Sequence, residues 1–148
     1  MSKADEILVS EQVLQVPFVY SAGPVVSRFL TGLRDEGKLY GLRCPQCRKV
    51  YAPPRGVCGG CARPLQEWVE VGPGGTLENF TVLYYPEPCH PAAVPLTLGI
   101  IRLDGADTGL VHVVRAAPEA LRIGMRVRAV FKEKRRGHIL DLEGFLPA

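Results

Sequence analysis

Long apolar runs are missing from this chain: the longest stretch without a formal charge, Gln12 to Ser27, has 16 residues and is broken by Pro17 and Pro24. A membrane-spanning helix needs about 18 or more apolar residues in a row, so none is expected. Aromatic residues are scarce at 7%, with a single tryptophan, and none occurs between Leu96 and Val114. Glycine-rich phosphate loops, nucleophile elbows and paired carboxylates at recognisable spacing are absent as well, which removes the common catalytic motifs. Neither sign of charge dominates: 18 Lys plus Arg against 15 Asp plus Glu leave +3. The opening MSKADEILVSE carries Asp5, Glu6 and Glu11 where a secretory leader would need a basic segment and then an apolar block. The expectation is a cytoplasmic protein.

What is present suits one domain with a small appendage: 148 residues, 47% hydrophobic and 22% charged. The charge is uneven. Arg28 to Arg63 holds eight basic and two acidic residues, Arg126 to Arg136 holds six and one, and the rest of the chain is net acidic. Such distribution matters more for partners than the total does.

Four of the five cysteines form two Cys-x-x-Cys turns, Cys44-Pro-Gln-Cys47 and Cys58-Gly-Gly-Cys61, ten residues apart. A reducing compartment disfavours a disulfide framework, whereas two such turns brought together offer four thiolates at the corners of a tetrahedron. Zn²⁺ accepts that arrangement in a closed structural site, and Gly59 and Gly60 are expected to turn amides toward the sulfurs. A thioredoxin-like redox pair would explain one turn but not two. Cys44, Cys47, Cys58 and Cys61 are therefore the expected ligands of one structural zinc. A site with no open position holds structure and does no chemistry.

Ahead of this ribbon, Val26, Phe29, Leu30 and Leu33 repeat at helical spacing between Pro24 and Gly37, predicting one amphipathic helix. Val13 to Tyr20 reads as an extended arm, expected to be tied down on its own chain rather than on another subunit. After the ribbon, turn residues punctuate short β-rich runs: Leu65 to Val71 leads out, followed by Thr76 to Tyr85, Leu96 to Leu103, Gly109 to Arg115, Arg126 to Glu133 and His138 to Gly144. Period two is clearest in the last two, where Val127, Ala129 and Phe131 oppose Arg128 and Lys132, and Leu140 and Leu142 oppose Asp141 and Glu143. A short helix is expected over Ala116 to Arg122. Five strands with a helix between the third and fourth is OB-fold topology. The expected architecture is mainly β: arm and helix over 1–40, a rubredoxin-like zinc ribbon over 41–71 and a five-stranded OB-fold barrel over 72–148.

OB-folds commonly bind oligonucleotides, but single-strand binders stack bases on aromatic side chains, and the second and third strands have none. Lys132, Lys134, Arg135 and Arg136 supply a basic loop that suits a phosphate-bearing small molecule or an acidic partner equally well. The loop Pro86 to Pro95 carries Cys89 beside His90, yet no orienting third group or oxyanion site is visible for a nucleophile. His112 reads as a satisfied half-buried histidine, and His138 as solvent-facing. No catalytic residue is assigned. Cys89, His90, Lys134, Arg135 and Arg136 are candidate substrate or partner contacts; a nucleic-acid module and a self-contained Cys89 enzyme are the alternatives.

Phe29-Leu-x-Gly32-Leu-Arg34, Leu42-x-Cys44-x-x-Cys47, Pro53-Pro-Arg55 before the second Cys-x-x-Cys, Trp68-Val-Glu-Val71, Gly75-Thr76, Phe80-Thr81 and Ile123-Gly-Met-Arg-Val127 occur in order. From about Val26 onward the sequence resembles the rubredoxin-like zinc-ribbon plus OB-fold proteins associated with acyl-CoA thiolases and related enzymes. The resemblance implies a small, zinc-binding subunit that assembles with a thiolase-fold protein, often as a heterotetramer, and supports turnover of a CoA thioester. Within the group the likeness points toward the benzoylsuccinyl-CoA thiolases of anaerobic toluene degradation. The family's catalytic Cys and His belong to the longer partner and are not carried onto Cys89 or His90. The expected interface is the Pro86 to Pro95 loop and the N-terminal arm.

Overall fold

Pro24 sits in the first turn of helix α1 (Gly23–Asp35), where its missing N–H costs nothing, and Gly23 enters the helix at φ +74° with its N–H bonded to Ser21 Oγ. The helix turns Phe29, Gly32 and Leu33 inward. A Cβ on Gly32 would lie 2.9 Å from the Tyr40 ring, so glycine is what lets the following strand pack against the helix. The structure is a computed structural model describing residues 8–148; residues 1–7, with Asp5 and Glu6 of the leader argument, lie outside the described residues. No helix among the described residues is long and apolar enough to cross a membrane.

The ribbon is a three-stranded antiparallel sheet of β1 (Leu39–Arg43), β2 (Val50–Tyr51) and β3 (Glu67–Val71) in the order β2-β1-β3. β3 pairs with β1 along its whole length, Leu39 opposite Val71 through Arg43 opposite Glu67. The barrel follows: β4 (Gly74–Leu83), β5 (Leu96–Leu103), β6 (Gly109–Val113), β7 (Arg126–Phe131) and β8 (Leu142–Pro147), in the order β6-β5-β4-β7-β8. β6 and β8 then meet through a parallel bridge between Val114 and Phe145, with Arg115 N–H donating to Phe145 O at 2.8 Å. Closure through that seam makes the five strands an OB-fold barrel.

Period-two patterning places Leu77, Ile101, Leu103 and Val127 inside the barrel, and the register shift in β8 opposite Val130 and Phe131 brings Leu142 and Phe145 inward together. Burying each side chain of this kind contributes about 1.5–3 kcal/mol. The same apolar cluster continues without a break into Phe29 and Leu33 of α1 and Leu39, Val50 and Val71 of the ribbon. Helix, ribbon and barrel thus share one core.

Four expectations are corrected. The helix foreseen over Ala116 to Arg122 is a single 3-10 turn, Pro118–Ala120, because Leu121 leaves helical backbone for an extended conformation and is pulled inward to 2% exposure. The last strand begins at Leu142 rather than His138; Ile139–Asp141 is a 3-10 turn, and Asp141 faces inward as its cap instead of alternating outward. His112 is more deeply buried than half. The arm is not tied down: residues 8–22 carry no regular structure, and Leu14, Phe18 and Val19 are among the side chains left in solvent. Its backbone meets no strand with which to pair, so the apolar side chains stay unburied.

Candidate metal centre

Each Cys-x-x-Cys turn folds by the same local rule. Cys44 N–H donates to Lys49 O and Arg48 N–H to Cys44 O; Cys58 N–H donates to Arg63 O and Ala62 N–H to Cys58 O, all within 2.9–3.0 Å. The residue after each second cysteine takes a left-handed backbone, Arg48 at φ 63° and Ala62 at φ 52°. The chain reverses there and brings the next residue's carbonyl, Lys49 O or Arg63 O, back to accept the first cysteine's N–H, so the special backbone falls on Arg48 and Ala62, not on Gly59 or Gly60. Cys47 N–H points at Cys44 Sγ (3.5 Å) and Cys61 N–H at Cys58 Sγ (3.4 Å). Of the two glycines, Gly60 turns its amide to Cys58, whereas Gly59 N–H donates to the Tyr51 hydroxyl at 3.1 Å.

The two turns bring all four Sγ atoms within 4.8 Å of one another, with Cys47 and Cys58 3.6 Å apart. Four sulfurs about 2.3 Å from a central ion would stand roughly 3.8 Å apart at tetrahedral corners. The donor set therefore fits a closed site for a thiophilic ion. Cys44 and Cys58 are buried in a small core with Leu42, Tyr51 and Leu65, while Cys61 is partly and Cys47 fully accessible.

Electrostatics reinforces this. The Tyr51 hydroxyl, 3.2 Å from Cys58 Sγ, together with the Cys61 and Gly60 amides, pulls the Cys58 thiol down to about 6. The neighbouring Cys47 sulfur and burial push Cys61 up to about 12. Crowded sulfurs compete for protons, and a cation is what allows all four to be thiolates together. Tyr51 escaped the sequence reading because its contact to Cys58 is made across the ribbon; the only signal was an aromatic residue seven positions ahead of that cysteine. Its ring is itself covered by the Arg55 guanidinium at 4.8 Å.

The centre is fixed to the barrel through the β5–β6 turn. Val50 N–H donates to Asp107 Oδ2 (2.8 Å) and Asp107 N–H to Val50 O (2.9 Å); Ala52 N–H donates to Thr108 Oγ1 (2.8 Å), whose hydroxyl donates to Ala52 O (3.0 Å).

The other candidates are scattered. Cys89 is exposed, and His90, beside it, has a buried Nδ1 without a partner and faces the Tyr85 ring at 6.0 Å; no hydrogen bond among the described residues joins the two. Arg135 spends its guanidinium on backbone, donating to Arg34 O at the end of α1 (2.9 Å) and to Lys132 O (3.3 Å). Lys134 and Arg136 stay exposed around a shallow hollow beside His138. Beneath them Asp141 Oδ2 accepts three backbone N–H groups, from Arg136 (2.9 Å), Gly137 (2.6 Å) and His138 (2.9 Å). Burial alone would raise the Asp141 carboxyl, but those donors outweigh it and hold it below the ordinary carboxylate range. His138 accepts Leu140 N–H on Nδ1 and is exposed, as its sequence position implied.

Two family descriptions match in succession: residues 32–65 match the ChsH2 rubredoxin-like zinc ribbon domain and residues 68–132 the ChsH2 C-terminal OB-fold domain. A DUF35 domain-containing scaffold protein of Methanocaldococcus jannaschii is 28% identical over 109 residues, 73% of this chain and 77% of that one. A second protein so described, from Methanothermobacter thermautotrophicus, is 26% identical over 98 residues, 66% of this chain and 74% of its own. Among solved structures, an Ltp2-ChsH2(DUF35) aldolase chain superposes with a TM-score of 0.63 at 24% identity, covering 86% of this chain and 98% of that one. A DUF35-family crystal structure from Sulfolobus solfataricus gives 0.61 at 22% identity, covering 73% and 78%. At those identities the two structures speak to the fold. With both modules matched in chain order and the four-sulfur cluster lying in the first, the chain belongs to the ChsH2-type family that joins a rubredoxin-like zinc ribbon to an OB-fold.

Proposed function

We propose that this chain is the zinc-binding accessory subunit of an acyl-CoA thiolase complex. One observation carries the reading: eight apolar residues between Leu8 and Tyr20 stand mostly in solvent. Apolar side chains exposed in such number mark a surface that another protein covers. The scaffold relatives and the ChsH2-type modules support a part built for assembly.

In this reading Cys44, Cys47, Cys58 and Cys61 hold one structural zinc, which supplies folding free energy and no reaction step. The partner is a thiolase-fold subunit in a hetero-oligomer, a heterotetramer by the family resemblance, that makes or cleaves a carbon–carbon bond beside a CoA thioester. Thiolysis of 2-benzoylsuccinyl-CoA is the specific reaction proposed. The barrel covers the mouth of the partner's active site and helps to orient the thioester while water is kept out, so that positioning rather than a donated group lowers the barrier. Lys134 and Arg136, without a side-chain partner among the described residues, supply cations for CoA phosphates at that rim, and Cys89 and His90 lie on the loop toward the partner.

Reconstitution tests this. The purified chain alone is expected to show no thiolysis, and mixing it with its thiolase-fold subunit to restore turnover. Full turnover by the isolated chain, or steeply salt-dependent binding of single-stranded oligonucleotides in place of the subunit, overturns it.

A further inference from the structure

One face of the molecule carries a continuous apolar surface. A groove of about 760 Å³ is walled by Val26 and Leu30 of α1, Pro53 and Pro54 of the ribbon and Val111 of β6, with Tyr20 at its rim where the arm departs. Val111 also lines a second hollow, with Phe80, Leu98 and Ile100 on the outer face of β4, β5 and β6. Val111 is 60% exposed, Val26 42% and Ile100 39%. β6 is the terminal strand in the pairing order of its sheet and meets β8 only near its end, at the Val114–Phe145 bridge and the Arg115–Phe145 hydrogen bond, and its first residues line the groove. Among the described residues, His138 and Tyr20 are the titratable side chains that line the groove, and no acid, lysine or arginine lines it.

Cations border this surface. His138 also lines the neighbouring hollow with Lys132, Lys134 and Arg136, and among the described residues none of these three cations is paired with a carboxylate. A second copy of the chain would bring one cationic hollow against another, and a nucleic-acid backbone would have to lay phosphates over a mostly apolar groove. The arm adds reach. Thirteen extended residues span about 40 Å, well beyond the radius of about 15 Å expected for a 148-residue domain.

We infer that the arm, the groove and the adjoining β-face together form the seat of a different protein subunit, which presents an apolar ridge bordered by Asp or Glu side chains. The inference rests on the proposed function for the partner's identity and adds which surface it meets and with what chemistry. The apolar contact supplies affinity, and the facing charges set orientation and association rate.

Two variants at exposed positions test it, Val111→Lys and Val26→Lys, each checked for fold by circular dichroism, with Arg136→Glu for the border. Wild-type chain is expected to be monomeric alone and to bind the thiolase-fold subunit of its own organism. Each lysine variant is expected to weaken that binding by about tenfold or more, and Arg136→Glu to slow association chiefly at low salt. Using two sites keeps the test decisive if one variant fails to fold. Wild-type binding with unchanged affinity in a folded lysine variant overturns the assignment of this surface while leaving the proposed function standing. Absence of any wild-type binding overturns both. A dimer of the chain alone, or a bound oligonucleotide, that Val111→Lys disperses assigns the surface to that occupant and also overturns the inference.

Discussion

Asp107 and Val50 exchange two hydrogen bonds, Val50 N–H to Asp107 Oδ2 and Asp107 N–H to Val50 O, across 57 residues of sequence. Through this pair a barrel turn acts as one more edge partner for a ribbon strand of only two residues. Thr108 repeats the device on Ala52. The ribbon is thereby held to the barrel by directional bonds over a shared apolar core, so that one module fixes the pose of the other.

Asp107→Ala leaves the Val50 N–H without its carboxylate partner. The expected loss is about 1–3 kcal/mol, the cost of an unsatisfied, partly buried donor, read in urea unfolding. An unchanged midpoint would show that the apolar contact alone holds the ribbon in place.

Cys44→Ser and Cys61→Ser remove one corner of the metal centre. Wild-type protein should carry one zinc per chain by elemental analysis, and either variant should lose the metal and the folded ribbon together. Binding free energy on the order of 10 kcal/mol or more is folding free energy for such a segment. A folded, metal-free variant that still binds its partner sinks the structural role.

Asp141 makes the barrel's last loop acid-sensitive. Its folded carboxyl titrates below the unfolded value of about 3.9. The stabilisation is therefore complete above that unfolded value and is lost as pH falls through the lower folded one. Asp141→Asn should destabilise the protein near neutral pH, and the gap to wild type should close in acid. A gap that is constant with pH would show that the charge contributes nothing.

His112 works in the same direction at a higher pH. It is 5% exposed, with Nε2 3.4 Å from Ile139 O and Nδ1 unpartnered, and burial lowers its pKa from the ordinary 6.5. The unfolded chain binds this proton more readily, so stability is full above about 6.5 and declines as pH falls toward the folded value. His112→Gln should flatten that part of the stability curve measured by thermal melting.

Cys89→Ala separates the accessory role from a self-contained enzyme. Metal content, fold and reconstituted turnover are all expected to match wild type. Loss of turnover with partner binding intact would move Cys89 into the chemistry.

The metal centre was legible because ligand spacing is local: each knuckle needs only the few residues around its two cysteines to close. The barrel strands were legible where one face is wet and the other dry, as with Arg128 against Val127 and Ala129. His138 to Glu143 misled the same rule, since a capped 3-10 turn running into a strand imitates alternation over so few residues. Asp107 carried no sequence signal of its role, and Tyr51 only that of an aromatic residue seven positions ahead of Cys58. The sequence by itself determined the two modules, their order and the four sulfurs, because those follow from local spacing and periodicity. Only the tertiary structure decided that Tyr51 reaches Cys58, that Asp107 grips Val50, that Asp141 turns inward and that Arg135 ties down α1. Each of these depends on a backbone group or a sulfur brought close from elsewhere in the chain, and neither composition nor period records such a neighbour.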